Sequence, residues 1–238
     1  MTATDWLDSR HSFSFGPHYQ PDNTHFGLLI AQNEDLLQPG PGYTQHPHRD
    51  TEILTWVLDG QLGHQDSAGH RQQIGPGMLQ LLSAGAGVSH AEFSACPDEP
   101  VHLVQMWVLP EDTGGPPAYA CVDLTAELAV GGGVLICAAA GHDGAPLRLR
   151  QPDATLWVAR LAPGESIALP AARYLHLFVG RGAIQIEGVP PGGSVSSVGG
   201  VSSVASGDAV RIVDSDGERV TGQTSTELLI WQMQSSVR

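Results

Sequence analysis

The sequence predicts an all-β protein made of two small antiparallel barrels in tandem. Three observations carry that expectation. Short apolar runs alternate with turn residues along the whole chain, which holds 29 glycines and 17 prolines among 238 residues. A glycine and aromatic pattern in the first half returns in the second. Two strand-like segments of the first half carry paired chemistry, His46-Pro47-His48 and His90-Ala91-Glu92. Helix is expected to be the minor element.

Taken in order, Trp6 to Tyr19 reads as a strand that places Phe13 and Phe15 on a core. His25 to Ala31 reads as the next strand, Asn33-Glu34-Asp35 as a turn, and Pro39-Gly40-Pro41-Gly42 as a rigid turn before the histidine pair. Ile53 to Leu58 is β-branched and apolar, and Asp59-Gly60 after it signals a hairpin with Leu62 to Asp66 returning. Ser67-Ala68-Gly69 turns, Gly75-Pro76-Gly77 interrupts, Met78 to Leu82 resumes, and Val101 to Leu109 closes a first module over residues 1–110. Residues 111–146 read as a linker and connecting segment, with Asp123 to Leu128 a short helix and Gly131-Gly132-Gly133 a flexible turn.

Residues 147–238 form the second module. A gapless shift pairs Pro41-Gly42 with Pro163-Gly164, Trp56 with Phe178 and Gly60 with Gly182, and puts His46 on Ala168 and His48 on Pro170. A longer shift pairs Gly77 with Gly207 and puts His90 and Glu92 on Val220 and Gly222. The fold is therefore expected twice and the chemistry once. The Gly/Ser-rich stretch 189–203 reads as a flexible surface loop.

Alternation along a strand sends His46 and His48 to one face and His90 and Glu92 to one face. Facing each other, three imidazoles and a carboxylate suit iron, zinc, copper, nickel, manganese or cobalt, and leave positions open for a substrate or dioxygen. Glu52 has the strand parity of His46 and His48 and is a second candidate carboxylate. For His64, His102 and His176, a hydrogen-bonded core or pocket-lining role outweighs ligation; His11, His18, His25, His70 and His142 read as surface or turn residues. Met78, Met106 and Trp107 read as core.

The 25 acidic against 11 basic residues give a net charge of -14, which argues against direct binding to nucleic acid or anionic lipid. The N-terminus has no signal-peptide pattern and no apolar run reaches membrane length, so a soluble, cytoplasmic protein is expected. Cys96, Cys121 and Cys137 are odd in number without Cys-x-x-Cys spacing, so they are expected as reduced structural thiols.

Over residues 5–110 the chain resembles the pirin family of bicupins, proteins with two cupin (double-stranded β-helix, jelly-roll) barrels. The resemblance rests on Trp6-Leu7-Asp8-Ser9 with His11-Ser12-Phe13, on His46-Pro47-His48-Arg49-Asp50-Thr51-Glu52, on His64-Gln65-Asp66-Ser67, and on Ser83-Ala84-Gly85-x-Gly87-Val88-x-His90-x-Glu92. It implies one non-haem metal on His46, His48, His90 and Glu92, with Fe(II) the usual occupant. The general cupin pattern puts the ligand glutamate where Glu52 stands; the pirin pattern assigns it to Glu92, and Glu52 is expected as a supporting or spare ligand. The resemblance further implies a quercetin 2,3-dioxygenase activity on a small aromatic flavonol with dioxygen, in which Glu92 or Glu52 takes the substrate's proton. Other members imply instead a redox-sensing regulator that binds a protein partner, and the cupin fold also admits a metal-assisted enzyme on another small metabolite.

Overall fold

The computed structural model describes residues 1–188 and 201–237. These fall into two compact units. The first contains residues 1–25, 29–125 and 149–152; the second contains 26–28, 126–148 and the rest from 153.

The first unit is built from β1 (Thr2–Ala3), β2 (Leu7–His11), β3 (Leu29–Leu37), β4 (Tyr43–His48), β5 (Glu52–Asp59), β6 (Leu62–Asp66), β7 (Arg71–Ile74), β8 (Met78–Ser83), β9 (Val88–Ser94), β10 (Val101–Val108) and β11 (Ala118–Asp123). They form a seven-stranded sheet, β1-β2-β3-β10-β5-β8-β11, and a four-stranded sheet, β4-β9-β6-β7. Leu37, Val57, Leu62, Ile74, Val101 and Leu103 cluster in one part of the interior, and Ile53, Leu82, Ala84 and Val88 in another.

A short helix α1 (Thr125–Leu128) follows, its first N–H capped by Asp123 Oδ1 at 2.9 Å. The second unit then runs through β12 (Ile136–Ala140), β13 (Leu147–Arg148), β14 (Ala154–Leu161), β15 (Ser166–Ala168), β16 (Ala172–Arg181), β17 (Ala183–Glu187), β18 (Val201–Ala205), β19 (Ala209–Ser215), β20 (Arg219–Gly222) and β21 (Thr226–Met233). Its sheets are β13-β12-β14-β21-β16-β19 and β15-β20-β17-β18.

The duplication is explicit in these orders. The path β3-β10-β5-β8 recurs as β14-β21-β16-β19, and β4-β9-β6-β7 recurs as β15-β20-β17-β18. Register refines the expected equivalences. His64 lies opposite Glu92 and, in the second unit, Ile186 lies opposite Val220. Counted from the matching glycines Gly60 and Gly182, Ile186 therefore stands where His64 does and Val220 where Glu92 does. The expected match for Glu92, Gly222, lies two residues away on the same strand face. Ile186 and Val220 are both fully buried, packed with Ile167, Leu169 and Ile184.

Several local expectations change. Asn33-Glu34-Asp35 is not a turn but lies within β3, because each polar side chain meets a partner there: Asn33 the His11 ring, Glu34 His102, and Asp35 the hydroxyls of Ser9 and Tyr43. Asp59-Gly60 does not close a hairpin, since β5 and β6 belong to different sheets. Gly60, at φ +74, turns the chain from one sheet to the other where a Cβ would stand 2.3 Å from the Pro100 carbonyl. The stretch 111–146, expected as a connector, contributes β11 and β12 to sheets. Of the expected loop 189–203, residues 189–200 lie outside the described residues, and 201–203 belong to β18.

Candidate metal centre

β9 is the middle of the site. In the four-stranded sheet it is flanked by β4 and β6, and register sets His46 opposite His90 and His64 opposite Glu92. Because alternate residues share a face, His90 and Glu92 point together, and His46 and His48 join them from the neighbouring strand. β4 is the edge of its sheet, which is where Pro47 can stand between the two histidines without breaking an inner ladder. A bulge between Tyr43 and His46 resets the register just before the pair.

The three imidazoles converge. Ring centres are 4.5 Å apart for His46 and His90, 4.9 Å for His46 and His48, and 5.0 Å for His48 and His90. One donor atom from each lies within 4.8 Å of the others. His46 donates from Nδ1 to the Thr44 carbonyl at 2.8 Å, which leaves Nε2 with its lone pair for an ion. His90 is 1% exposed with no hydrogen bond on either ring nitrogen, and His48 Nε2 is likewise buried and unbonded. Buried imidazole nitrogens without partners are costly unless something binds them, and a cation is what neutral imidazoles bind. Burial, then repulsion from His90 and His46, pushes His48 down to about 4; burial also lowers His90. Both are neutral near pH 7, the form that ligates.

Glu92 is held from the opposite sheet. Gln105 Nε2 donates to Oε2 at 2.6 Å, Gln80 Nε2 to Oε1 at 2.9 Å, and Thr55 Oγ1 reaches Oε1 at 3.5 Å. Thr55 is the cross-strand partner of both glutamines, so the three donors form one row across β8, β5 and β10. Each amide is itself oriented: the Tyr119 hydroxyl donates to Gln80 Oε1 at 3.1 Å and Trp107 Nε1 to Gln105 Oε1 at 3.0 Å. Sequence reasoning missed this row, since single amides in apolar strands carry no local signal. Trp107, expected in the core, is half-buried with its ring edge-on to His48 at 5.0 Å and to Phe15 at 5.5 Å.

The expected carboxylates separate. Glu52 lies in β5, where Ser83 Oγ donates to Oε2 at 2.9 Å and the Arg150 backbone N–H to the same oxygen at 3.1 Å. It is absent from both groups of metal-competent side chains found among the described residues, His46-His48-His90 and His64-His90-Glu92. The parity argument does not reach it: between His48 and Glu52 the chain turns through Asp50, at φ 50, and changes sheet. His64, expected as core or pocket lining, is 2% exposed and stands beside His90 and Glu92. His102 pairs with Glu34 at 2.9 Å, away from this cluster.

A family model described as Pirin matches residues 1–108. Over 237 residues the chain is 46% identical to a Mycobacterium tuberculosis protein named "Putative quercetin 2,3-dioxygenase", covering 100% of this chain and 92% of that one. It is 32% identical over 229 residues to an Escherichia coli protein named quercetin 2,3-dioxygenase, covering 96% and 92%. The chain belongs to the pirin family. Among solved structures, the bacterial pirin YhhW from Escherichia coli in complex with nickel(II) superposes with a TM-score of 0.83 at 30% identity, over 99% of this chain and 95% of that one. The pirin fold of two tandem cupin barrels, expected from the sequence, holds for this chain.

The donor set of this pirin fits a divalent transition metal. The nitrogens of His46, His48 and His90 form one cluster, and Glu92 stands with His64 and His90 in a second that shares His90; these are nitrogen and oxygen donors of the kind that hold such ions.

Proposed function

We propose that this pirin is a metal-dependent dioxygenase that cleaves a flavonol such as quercetin with dioxygen, and that Fe(II) is held by His46, His48, His90 and Glu92. The observation that carries the proposal is the convergence of buried, unbonded imidazole nitrogens beside a carboxylate fixed by amide donors. The names of the relatives support the substrate class. A divalent ion bound there supplies a Lewis-acid contact for the flavonol hydroxyl oxygen and a site for dioxygen.

The chain's own residues do the rest. Glu92 accepts the proton of the 3-hydroxyl at a carboxylate oxygen, while Gln80 and Gln105 keep that carboxylate aimed. Trp107 and Phe15, edge to face beside His48, offer flat apolar surface to an aromatic ring. The burial of His90 and Glu92 keeps bulk water from the proton being moved. Glu52 is held through Oε2 by Ser83 and the Arg150 N–H, in the sheet opposite the histidines, and is assigned a supporting part, so the two candidate bases predict different variants.

The test is anaerobic loading with Fe(II), then quercetin and air, with dioxygen uptake and flavonol absorbance followed together. Glu92→Gln is expected to lower turnover by roughly 100-fold or more, the usual contribution of a general base. His48→Ala is expected to lose turnover, and Glu52→Gln to keep both metal and turnover. A metal-filled protein that leaves quercetin and dioxygen untouched overturns the dioxygenase reading, and redox-dependent binding of a protein partner then becomes the reading to pursue.

A further inference from the structure

His64 takes no part in the four-ligand set, yet it has the marks of a ligand. It is 2% exposed and neither ring nitrogen has a hydrogen bond. Its Nε2 lies 3.5 Å from Asp66 Oδ2, longer than an ordinary N–H···O bond. Its ring is clamped: it stacks on Tyr119 at 4.7 Å, and His70, hydrogen-bonded to Asp66 Oδ2 at 2.8 Å, stacks on the same tyrosine at 5.2 Å. One donor atom each of His64, His90 and Glu92 fall within 4.8 Å of one another, the closeness that also defines the group of His46, His48 and His90.

The duplicated topology shows what this position needs when packing is all that is asked. Its counterpart is Ile186, fully buried among apolar neighbours. An imidazole there faces His90 and Glu92 across the register, with the Asp66 carboxylate 3.5 Å from one nitrogen and the other nitrogen open to a metal.

We propose that the centre gives a divalent cation a second, inner position, in which His64 replaces His46 and His48 beside His90 and Glu92. The inference rests on the metal centre proposed above. The two positions share His90 and Glu92, so one ion at a time occupies them. The ion's ligands on β9 stay the same in both, and those on β4 are exchanged for one on β6.

The experiment is anaerobic titration with Co(II), read by its visible d–d absorption and by metal analysis, with folding checked by circular dichroism. The wild-type chain is expected to bind one Co(II). A His46→Ala/His48→Ala variant is expected still to bind one, with a changed band. Adding His64→Leu, or His64→Gln where leucine disturbs packing, is expected to abolish that binding. In the double variant loaded with Cu(II), pulsed electron paramagnetic resonance is expected to count two coordinated imidazoles; a count of one overturns the inner position without needing a His64 variant. So does a folded double variant that binds no Co(II) while wild type binds one, or a triple variant that binds as the double does. A wild-type chain that binds no Co(II) fails earlier, at the centre itself, and takes the inner position with it.

Discussion

At the scale of single residues, the centre depends on side chains that never touch an ion. Gln105 gives one N–H to Glu92 at 2.6 Å and accepts the Trp107 N–H at 3.0 Å, so it ties the carboxylate to the ring beside His48. Leucine at this position would leave Glu92 Oε2 without its donor in a buried site. Gln105→Leu is therefore expected to weaken metal affinity by roughly 10- to 100-fold, the usual cost of losing such an outer partner, and to cost about 1–3 kcal/mol of stability. Isothermal titration with the metal and urea unfolding of the metal-free protein read the two effects separately. An affinity unchanged within twofold would mean that the row of Thr55, Gln80 and Gln105 merely fills space.

At the scale of elements, the geometry is set by how closely β4 lies on β9. Gly42 sits at φ +60 just before β4, and a Cβ there would stand 2.3 Å from the Glu92 carbonyl oxygen and 2.7 Å from the Phe93 Cα. Both obstacles are backbone, so nothing flexible can yield. Gly42→Ala is expected to cost about 2 kcal/mol or more and to lower metal affinity by lifting β4 from β9. Gly75→Ala, which meets nothing within 4 Å, is expected to be neutral. Thermal unfolding of the two variants, with and without metal, makes the comparison. This closeness also marks how far the sequence could be read. Strand parity is local: it pairs His46 with His48 and His90 with Glu92, and these pairs fall in two clusters that share His90. It failed for Glu52, because parity does not survive a residue with positive φ and a change of sheet. His64 stands in a motif, but what it faces is set by the strand opposite, and register is not written in either strand alone. The turn read at Asn33-Glu34-Asp35 failed for a similar reason: its polar side chains are satisfied by partners distant in sequence.

At the scale of the whole molecule, acid acts on buried imidazoles in both units. His176 is fully buried, and burial, with repulsion from Arg211, pushes it down to about 3 from 6.5. The unfolded chain takes up a proton near pH 6.5 that the folded chain refuses, so stability is complete above 6.5 and drains away as pH falls toward 3. His48 and His90 act in the same direction. Asp35 opposes them: burial raises it to about 6, so between its ordinary 3.8 and 6 the folded chain holds the extra proton and acid stabilises. In metal-free protein, His176→Leu is expected to flatten the acid limb by about 1.4 kcal/mol per pH unit below 6.5. Urea unfolding at several pH values measures it, and an unchanged slope would show that His176 titrates freely. The paired topologies have a consequence of another kind. β4, β9 and β6 have counterparts in β15, β20 and β17, which share their order but hold Ile186 and Val220 in place of His64 and Glu92. The molecule thus carries its own blank. When a chelator strips the metal, amide hydrogens of the first three strands should exchange with deuterium faster, while those of the second three keep their rate, in one sample and one spectrum.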